Sequence, residues 1–252
     1  MDVSKIVFLG DSHVQGVGAE WPKLYGSLVG TPREFTKNTW LTYLRKTDDS
    51  PSKIFTKYSE ITSKMNFDFT SDPDVQKLRD KYSWPSLVAS QFKKKIVNYG
   101  FGAYNLQQIA GKLLIDSPTF EDSLVILGVP DIKHELTYHN PVGSQQFQNT
   151  TIATVAANII LIKEFVERRG GRFVYFHTED YPKDFYDSQH NPYLYHLTNI
   201  RLFDRPLFSY LPDHFLTKKQ DGIHFNLEGQ KFLAHMFVNE FKRTLIFSVL
   251  SS

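Results

Sequence analysis

Three residues that can do chemistry follow the first apolar run of the chain. The stretch KIVFLGDSHV, residues 5–14, turns from apolar to polar at Gly10 and continues with Asp11, Ser12 and His13. A serine hydroxyl at the end of a strand can act as a nucleophile once a nearby base removes its proton. The acid and the imidazole could instead bind a metal ion, and the turn could also be a helix N-cap without chemistry.

A second group of polar side chains lies near the other end of the chain. In DGIHFNLEG, residues 221–229, Asp221 and His224 precede a segment with helical spacing. An aspartate can fix the tautomer of an imidazole, whose other nitrogen can then accept the proton of a serine. With Ser12 these two residues make a complete set for acyl transfer. Backbone N–H groups of Ser12 and of the turn at 100–103 could hold the oxyanion.

Four short apolar runs predict the strands that must position these residues. Near-continuous runs of this kind are typical of parallel strands buried on both faces. They cover residues 5–9, 94–99, 123–128 and 172–177. Segments with helical spacing alternate with them, at 83–94, 105–116, 148–171 and from 226 onward. This alternation predicts a three-layer α/β/α sandwich with a flavodoxin-like, mostly parallel sheet.

The strand ends bring the polar residues to one edge of the predicted sheet. Ligands bind beyond the carboxyl ends of parallel strands in such folds. Ser12, the glycine-rich turn after Tyr99 and the turn at 128–131 all fall there. We expect Asp11 to hydrogen-bond its own turn and thereby to order Ser12. Three further polar residues close the fourth strand, where they could contact a substrate or a metal ion, but we interpret them as solvated loop residues: His177, Glu179 and Asp180.

Length and composition indicate a single globular domain over residues 1–252, with insertions at about 19–82 and 178–220. Lys and Arg number 29 against 27 Asp and Glu, and this net charge of +2 is too balanced to favour nucleic acid. Cysteine is absent, so disulfides, thiolate catalysis and cysteine zinc sites are excluded. Because no signal peptide or membrane-spanning stretch is evident, we expect a soluble, cytoplasmic protein with no membrane partner. Packaging in a virus particle stays open, as does the oligomeric state.

Motif blocks in this chain resemble those of the GDSL, or SGNH, hydrolase family across about residues 5–240. The first block is FLGDSH, in which His13 stands where the family has leucine. The second is NYGFGAYN, where the family's oxyanion glycine aligns with Ala103, with Gly102 as the alternative. Only the backbone N–H is used at that position, so the side chain there can change. The fourth block, DGIH at 221–224, matches the family's aspartate and catalytic histidine.

The third block departs from the family, which has Gly-x-Asn-Asp where this chain has GVPD at 128–131. The family's asparagine side chain donates to the oxyanion, whereas Pro130 has neither a side-chain donor nor an N–H. Loss of one such donor lowers turnover by about 10²- to 10³-fold. Asn105 is the nearest residue in the sequence that could replace it. Asp131 matches the block's aspartate and is expected at the substrate site.

The resemblance implies a serine esterase that cleaves a short-chain ester, such as an O-acetylated carbohydrate, without a metal or organic cofactor. Its partner would be a small acylated substrate. An acyltransferase acting on a glycan would use the same triad, and a non-catalytic binding or virion protein would keep the fold, with Pro130 marking lost activity. A metallophosphoesterase would begin with Gly-Asp-x-His, as Asp11 and His13 do, but its GDxxD and GNH motifs do not occur in this sequence.

Overall fold

Strands and helices alternate along the chain, and the strands form one parallel sheet. The computed structural model describes residues 3–16, 19, 73–100, 104–130, 145–178, 181, 183–187, 191–211 and 224–243. Its strands are β1 (Lys5–Gly10), β2 (Lys95–Gly100), β3 (Ser123–Val129) and β4 (Arg172–His177). Its helices are α1 (Ser12–Gln15), α2 (Pro73–Tyr82), α3 (Trp84–Gln91), α4 (Leu106–Asp116), α5 (Gln145–Glu167), α6 (Leu194–Thr198) and α7 (Leu227–Arg243). Two short 3-10 turns span Lys183–Tyr186 and Leu207–Tyr210.

The four described strands lie in the order β2-β1-β3-β4, and every neighbouring pair is parallel. Lys5 of β1 pairs with Lys95 of β2 and with Ser123 of β3. At the other end, Val129 of β3 pairs with His177 of β4. All four strands therefore end at one edge of the sheet, and the strand runs predicted from the sequence are confirmed to within one residue.

Side chains at alternate strand positions build a core on one face of the sheet. Val7, Leu9, Val125 and Leu127 are at most 2% exposed and belong to one buried cluster with residues of α4 and α5. Burying a side chain of this size stabilises the fold by about 1.5–3 kcal/mol. The helix residues of the cluster recur every three or four positions, which is the spacing that predicted these helices. They are Leu106, Ile109, Ala110, Leu113, Ile152, Val155, Ala156, Ile159, Ile162 and Val166.

Aromatic side chains cover the opposite face of the sheet. Because successive strand residues point to opposite faces, Phe176 points away from the cluster to which Tyr175 belongs. The Phe176 ring meets those of Phe237 on α7 and of Phe203 at centroid distances of 5.0 and 6.3 Å. Helices thus lie on both faces. The predicted three-layer α/β/α sandwich with a flavodoxin-like parallel sheet is confirmed.

Side-chain caps fix where two of the predicted helices begin. Asn105 caps α4, because its side-chain oxygen accepts from the Gln108 N–H at 2.9 Å and its own N–H donates to the Gln108 side chain at 3.0 Å. Asn226 caps α7 and accepts from the Gly229 N–H at 2.9 Å. Such caps contribute about 1 kcal/mol each. After α5, Gly170 has a φ of +81°, the left-handed conformation expected at a helix end.

Internal contacts divide the chain into two compact units. The first comprises Met1–Gln15, Ala89–Tyr210 and Phe237–Ser252, and the second comprises Gly16–Val88 and Leu211–Met236. The single domain predicted from the sequence stays a prediction. Of the two predicted insertions, most of 19–82 lies outside the described residues, whereas 178–220 includes α6 and both 3-10 turns. None of the helices in the described part of the chain has the length and apolar character needed to cross a membrane.

Candidate active site

Asp11 caps the short helix that begins at Ser12. Its carboxylate oxygen accepts from the His13 N–H at 2.9 Å, and its backbone carbonyl accepts from the Gln15 N–H at 2.9 Å. Asp11 is 1% exposed, so this cap is shielded from water. The expectation that Asp11 hydrogen-bonds its own turn is confirmed. Ser12, the first residue of this helix, is half-buried.

Three glycines at the strand ends make room for this helix. Gly10, Gly100 and Gly128 lie at the carboxyl ends of β1, β2 and β3. A Cβ at Gly10 or Gly128 would overlap the Val14 side chain, and a Cβ at Gly100 would overlap the backbone nitrogen of Gln15. We call these three glycines the glycine cradle. The cradle seats α1 directly on the ends of three neighbouring strands, at the edge where the sequence predicts a ligand.

Gly100→Ala is expected to lower the free energy of unfolding by about 3 kcal/mol, because the added methyl meets backbone atoms of Gln15 that cannot rotate aside. Urea unfolding followed by circular dichroism measures the change. Gly111→Ala in α4 is the matched control. Among the described residues nothing lies within 4 Å of a Cβ at Gly111, and alanine is the better helix former, so stability should rise by up to about 1 kcal/mol. Equal changes in the free energy of unfolding for the two substitutions would contradict the inference that Gly100 makes room for α1.

Asn98 joins β2 to α1; it is the first residue of the second motif block, but the sequence assigns it no role. Its side-chain nitrogen donates to the Val14 carbonyl at 3.0 Å. Its side-chain oxygen accepts from the Gly100 N–H at 2.8 Å. A polar side chain inside the strand KIVNYG is the feature of the sequence that could have drawn attention to it, because strands of this kind are otherwise apolar.

Asn105, one of the predicted oxyanion and substrate residues, lies in the described part of the chain. It is 5% exposed, and its side-chain oxygen is engaged in the cap of α4. The cap does not use the side-chain nitrogen, so a donor role for that nitrogen stays a prediction. Four predicted site residues lie outside the described part of the chain: Gly102, Ala103, Asp131 and Asp221.

Pro130 follows β3 directly and is tied to the chain after β4. Its carbonyl accepts from the Tyr181 hydroxyl at 2.7 Å. The neighbouring Val129 carbonyl accepts from the hydroxyl and from the N–H of Thr178, at 2.8 and 3.2 Å. Pro130 is also buried. The residue that stands where the family has asparagine is therefore held firmly at the carboxyl edge.

His224 lies in the second unit, two residues before the cap of α7. Its side chain is 6% exposed. The turn that follows it is fixed by Gln230, which accepts from the Trp84 N–H at 2.8 Å and donates to the Phe225 carbonyl at 3.3 Å. Gln230 is itself fully buried, and nothing in its local sequence identifies a partner 146 residues away. Ser12 belongs to the first unit.

His177 is buried, so its interpretation as a solvated loop residue is wrong. It ends β4, is 3% exposed, and has ring centroids of Tyr181, Phe185 and Tyr175 at 4.2, 4.8 and 5.4 Å. Neither of its ring nitrogens has a hydrogen-bond partner in the described part of the chain. Burial, with a smaller contribution from the charge of Arg201, lowers the pKa of His177 to about 3. Glu179 and Asp180, which share this interpretation as solvated loop residues, lie outside the described ranges.

His13, the residue after Ser12, packs against the second predicted insertion. Its ring meets the Phe208 ring edge-to-face at a centroid distance of 5.0 Å. The Phe208 N–H in turn donates to the Thr178 carbonyl at 3.0 Å, near the end of β4. Within the described ranges no group of three or more His, Asp or Glu side chains is placed to hold a metal ion. The described residues thus add no ligands to the pair Asp11 and His13.

No protein-family model matches the sequence, and no curated protein matches it. Solved structures do resemble it. A carbohydrate esterase, whose active site displays divergent catalytic and non-catalytic binding functions, aligns over 97% of this chain and 70% of its own, at 10% identity and a TM-score of 0.50. A lipolytic protein of the G-D-S-L family from Desulfitobacterium hafniense DCB-2 aligns over 94% and 99% of the two chains, at 14% identity and a TM-score of 0.49. A GDSL-like lipase from Parabacteroides merdae ATCC 43184 aligns over 97% and 98%, at 14% identity and a TM-score of 0.48.

Two of these three solved structures are described as GDSL proteins. The likeness to the carbohydrate esterase, at 10% identity and a TM-score of 0.50, shows a shared fold. What the chain does with that fold depends on its own residues at the carboxyl edge of the sheet.

Proposed function

We propose that the chain is a serine esterase in which Ser12 is the nucleophile, His224 is the general base and Asp221 orients His224. The position of Ser12 carries the proposal. It opens a capped helix that sits in the glycine cradle at the carboxyl edge of a parallel sheet. A strand-to-helix turn of this kind presents a hydroxyl where ligands bind in α/β folds.

The proposed reaction has two steps, acylation of Ser12 and hydrolysis of the acyl-serine. His224 takes the hydroxyl proton as Ser12 Oγ bonds to the acyl carbon, and the carbonyl π electrons move to the carbonyl oxygen. The tetrahedral intermediate expels the alcohol, which takes the proton from His224, and an acyl-serine remains. Water then attacks the acyl carbon and gives a proton to His224. The acid leaves as Ser12 Oγ takes that proton back.

Donors for the oxyanion are proposed on two elements. The backbone N–H groups of Ser12 and of Ala103, with Gly102 as the alternative to Ala103, would hold the anion, and the side-chain nitrogen of Asn105 would add to them. Asp131 is proposed to lie against the substrate. Because Pro130 offers no donor, we expect turnover about 10²- to 10³-fold below that of a site with one more donor.

The proposed substrate is a small ester with a short acyl group, and an O-acetylated carbohydrate is the class we favour. The resemblance of the motif blocks supports this, and so does the likeness in fold to a carbohydrate esterase. Neither a metal ion nor an organic cofactor takes part in the proposed steps.

Labelling with a fluorophosphonate tests the proposal, since this reagent phosphonylates activated serines and leaves ordinary hydroxyls unmodified. We expect a mass increase on the peptide that carries Ser12, absent in Ser12→Ala and reduced in His224→Ala. Ser209→Ala is the control, because it removes an exposed hydroxyl that donates to the Pro206 carbonyl at 2.7 Å, and it should label like wild type. A protein that is not labelled and does not hydrolyse p-nitrophenyl acetate would rule the proposal out.

A non-catalytic binding protein is the second candidate, and Pro130 is the observation that favours it. Proline there removes an oxyanion donor that an esterase of this family uses. A binding protein would leave Ser12 unlabelled and would still bind an acylated glycan in calorimetry. An acyltransferase, by contrast, would be labelled at Ser12 and would transfer the acyl group to an added glycan faster than to water.

A further inference from the structure

We propose that Asn98 is a positioning residue that fixes the nucleophile helix α1 to the carboxyl end of β2, shortly before the proposed oxyanion residues in the sequence. This inference deepens the proposed function and rests on it. Asn98 is the fourth residue of β2 and pairs in register with Phe8 of β1, two positions before the strands reach the carboxyl edge. Its side chain bonds to α1.

The two hydrogen bonds of Asn98 reach two different parts of the proposed site. Its side-chain nitrogen donates to the carbonyl of Val14 at 3.0 Å, across 84 residues of sequence. That carbonyl has no acceptor role inside α1, because the helix ends at Gln15. The side-chain oxygen accepts from the Gly100 N–H at 2.8 Å, and Gly100 is the last residue of β2, shortly before the proposed oxyanion residues in the sequence.

Asparagine has the side chain that this pair of bonds requires. The bonds need one donor and one acceptor on the same planar group, and an amide supplies both. Ionised aspartate has two acceptors, so one carboxylate oxygen would face the Val14 carbonyl and repel it. Leucine has a similar volume but neither a donor nor an acceptor. Asn98→Asp therefore breaks the link between α1 and β2 by repulsion, and Asn98→Leu breaks it by removing both polar atoms.

The expected consequence is that α1, which carries Ser12, is no longer held to the end of β2, so that the distance between Ser12 Oγ and the proposed oxyanion donors varies. A misplacement of about 1 Å in such an arrangement lowers turnover by about 10²-fold. Binding of the ground-state ester depends much less on that distance, so kcat should fall more than KM rises. The hydrogen bonds of the Asn98 side chain to Val14 and Gly100 are bonds to the scaffold, and in the proposed role Asn98 acts through them as a positioning residue.

The test compares Asn98→Asp and Asn98→Leu with Val97→Ala as the control. Val97 precedes Asn98 in β2 and packs, partly buried, against the core, so its truncation weakens the fold without removing either hydrogen bond. We expect kcat for p-nitrophenyl acetate to fall by about 10- to 100-fold in both Asn98 variants, with KM changed by less than about three-fold. Val97→Ala should keep the wild-type kcat at a temperature where circular dichroism shows every variant folded.

Amide hydrogen exchange adds a measurement that does not need activity. Exchange at the N–H groups of Gly100 and Gln15 should rise by about ten-fold or more in Asn98→Leu relative to Val97→Ala, because the link that holds them is gone. Unchanged exchange at Gly100, or unchanged kcat in both Asn98 variants, overturns the inference. A wild-type protein that neither hydrolyses the ester nor labels at Ser12 overturns the proposed function instead, and the exchange result then decides by itself whether Asn98 holds α1 to β2.

Discussion

Ser12→Ala is expected to lower kcat for ester hydrolysis by about 10⁵-fold while KM stays within a few-fold of its wild-type value. The substitution removes the attacking oxygen, so only substrate binding and the oxyanion donors remain to assist water. The fold should persist, because other atoms seat the helix: the Asp11 cap uses the His13 N–H, and the glycine cradle contacts Val14 and Gln15. Steady-state kinetics and circular dichroism measure the two parts of this expectation.

One outcome of that experiment would favour a different enzyme. An activity that requires added divalent metal and survives Ser12→Ala would mean that Asp11 and His13 serve as ligands, as in a metallophosphoesterase. The geometry around the pair argues against this result. One carboxylate oxygen of Asp11 already accepts from the backbone of His13, and the His13 ring is packed against Phe208. A metal would have to compete with both contacts.

The strands, the helices and the shared edge of the sheet could be predicted because their sequence features are local. Apolar runs of five or six residues mark β1 to β4, and the caps Asn105 and Asn226 mark two helix starts. Parallel strands joined by helices must end at one edge. The order of the elements was therefore enough to predict that Ser12, Gly100 and Gly128 share that edge.

The partners of single side chains could not be predicted, because they join residues far apart in the sequence. Asn98 bonds to Val14 across 84 residues, and Gln230 bonds to Trp84 across 146. The glycines of the cradle are visible in the sequence, but the helix that each one accommodates is not. The burial of His177 was missed for the same reason, since local polarity does not show the aromatic rings that enclose it.

Acid is expected to destabilise the fold through His177. Burial holds the pKa of His177 at about 3 in the folded state, whereas a histidine in the unfolded chain has a pKa of about 6.5. Between these values the unfolded chain binds the proton and the folded chain does not. The free energy of unfolding therefore falls as the pH drops from about 6.5 to about 3. The full difference corresponds to about 5 kcal/mol, of which about 3 kcal/mol is lost by pH 4.

His177→Leu should remove this dependence on pH. Leucine fills about the same volume as the imidazole and leaves no ring nitrogens buried without partners, so stability at pH 7 should rise by about 1–2 kcal/mol. Urea unfolding between pH 7 and pH 4 measures the variant against wild type, and the titration of the carboxylates cancels in that difference. His196→Leu, which alters an exposed histidine of α6, should follow wild type throughout. If wild type loses stability in acid no faster than His177→Leu, then His177 accepts its proton inside the folded protein.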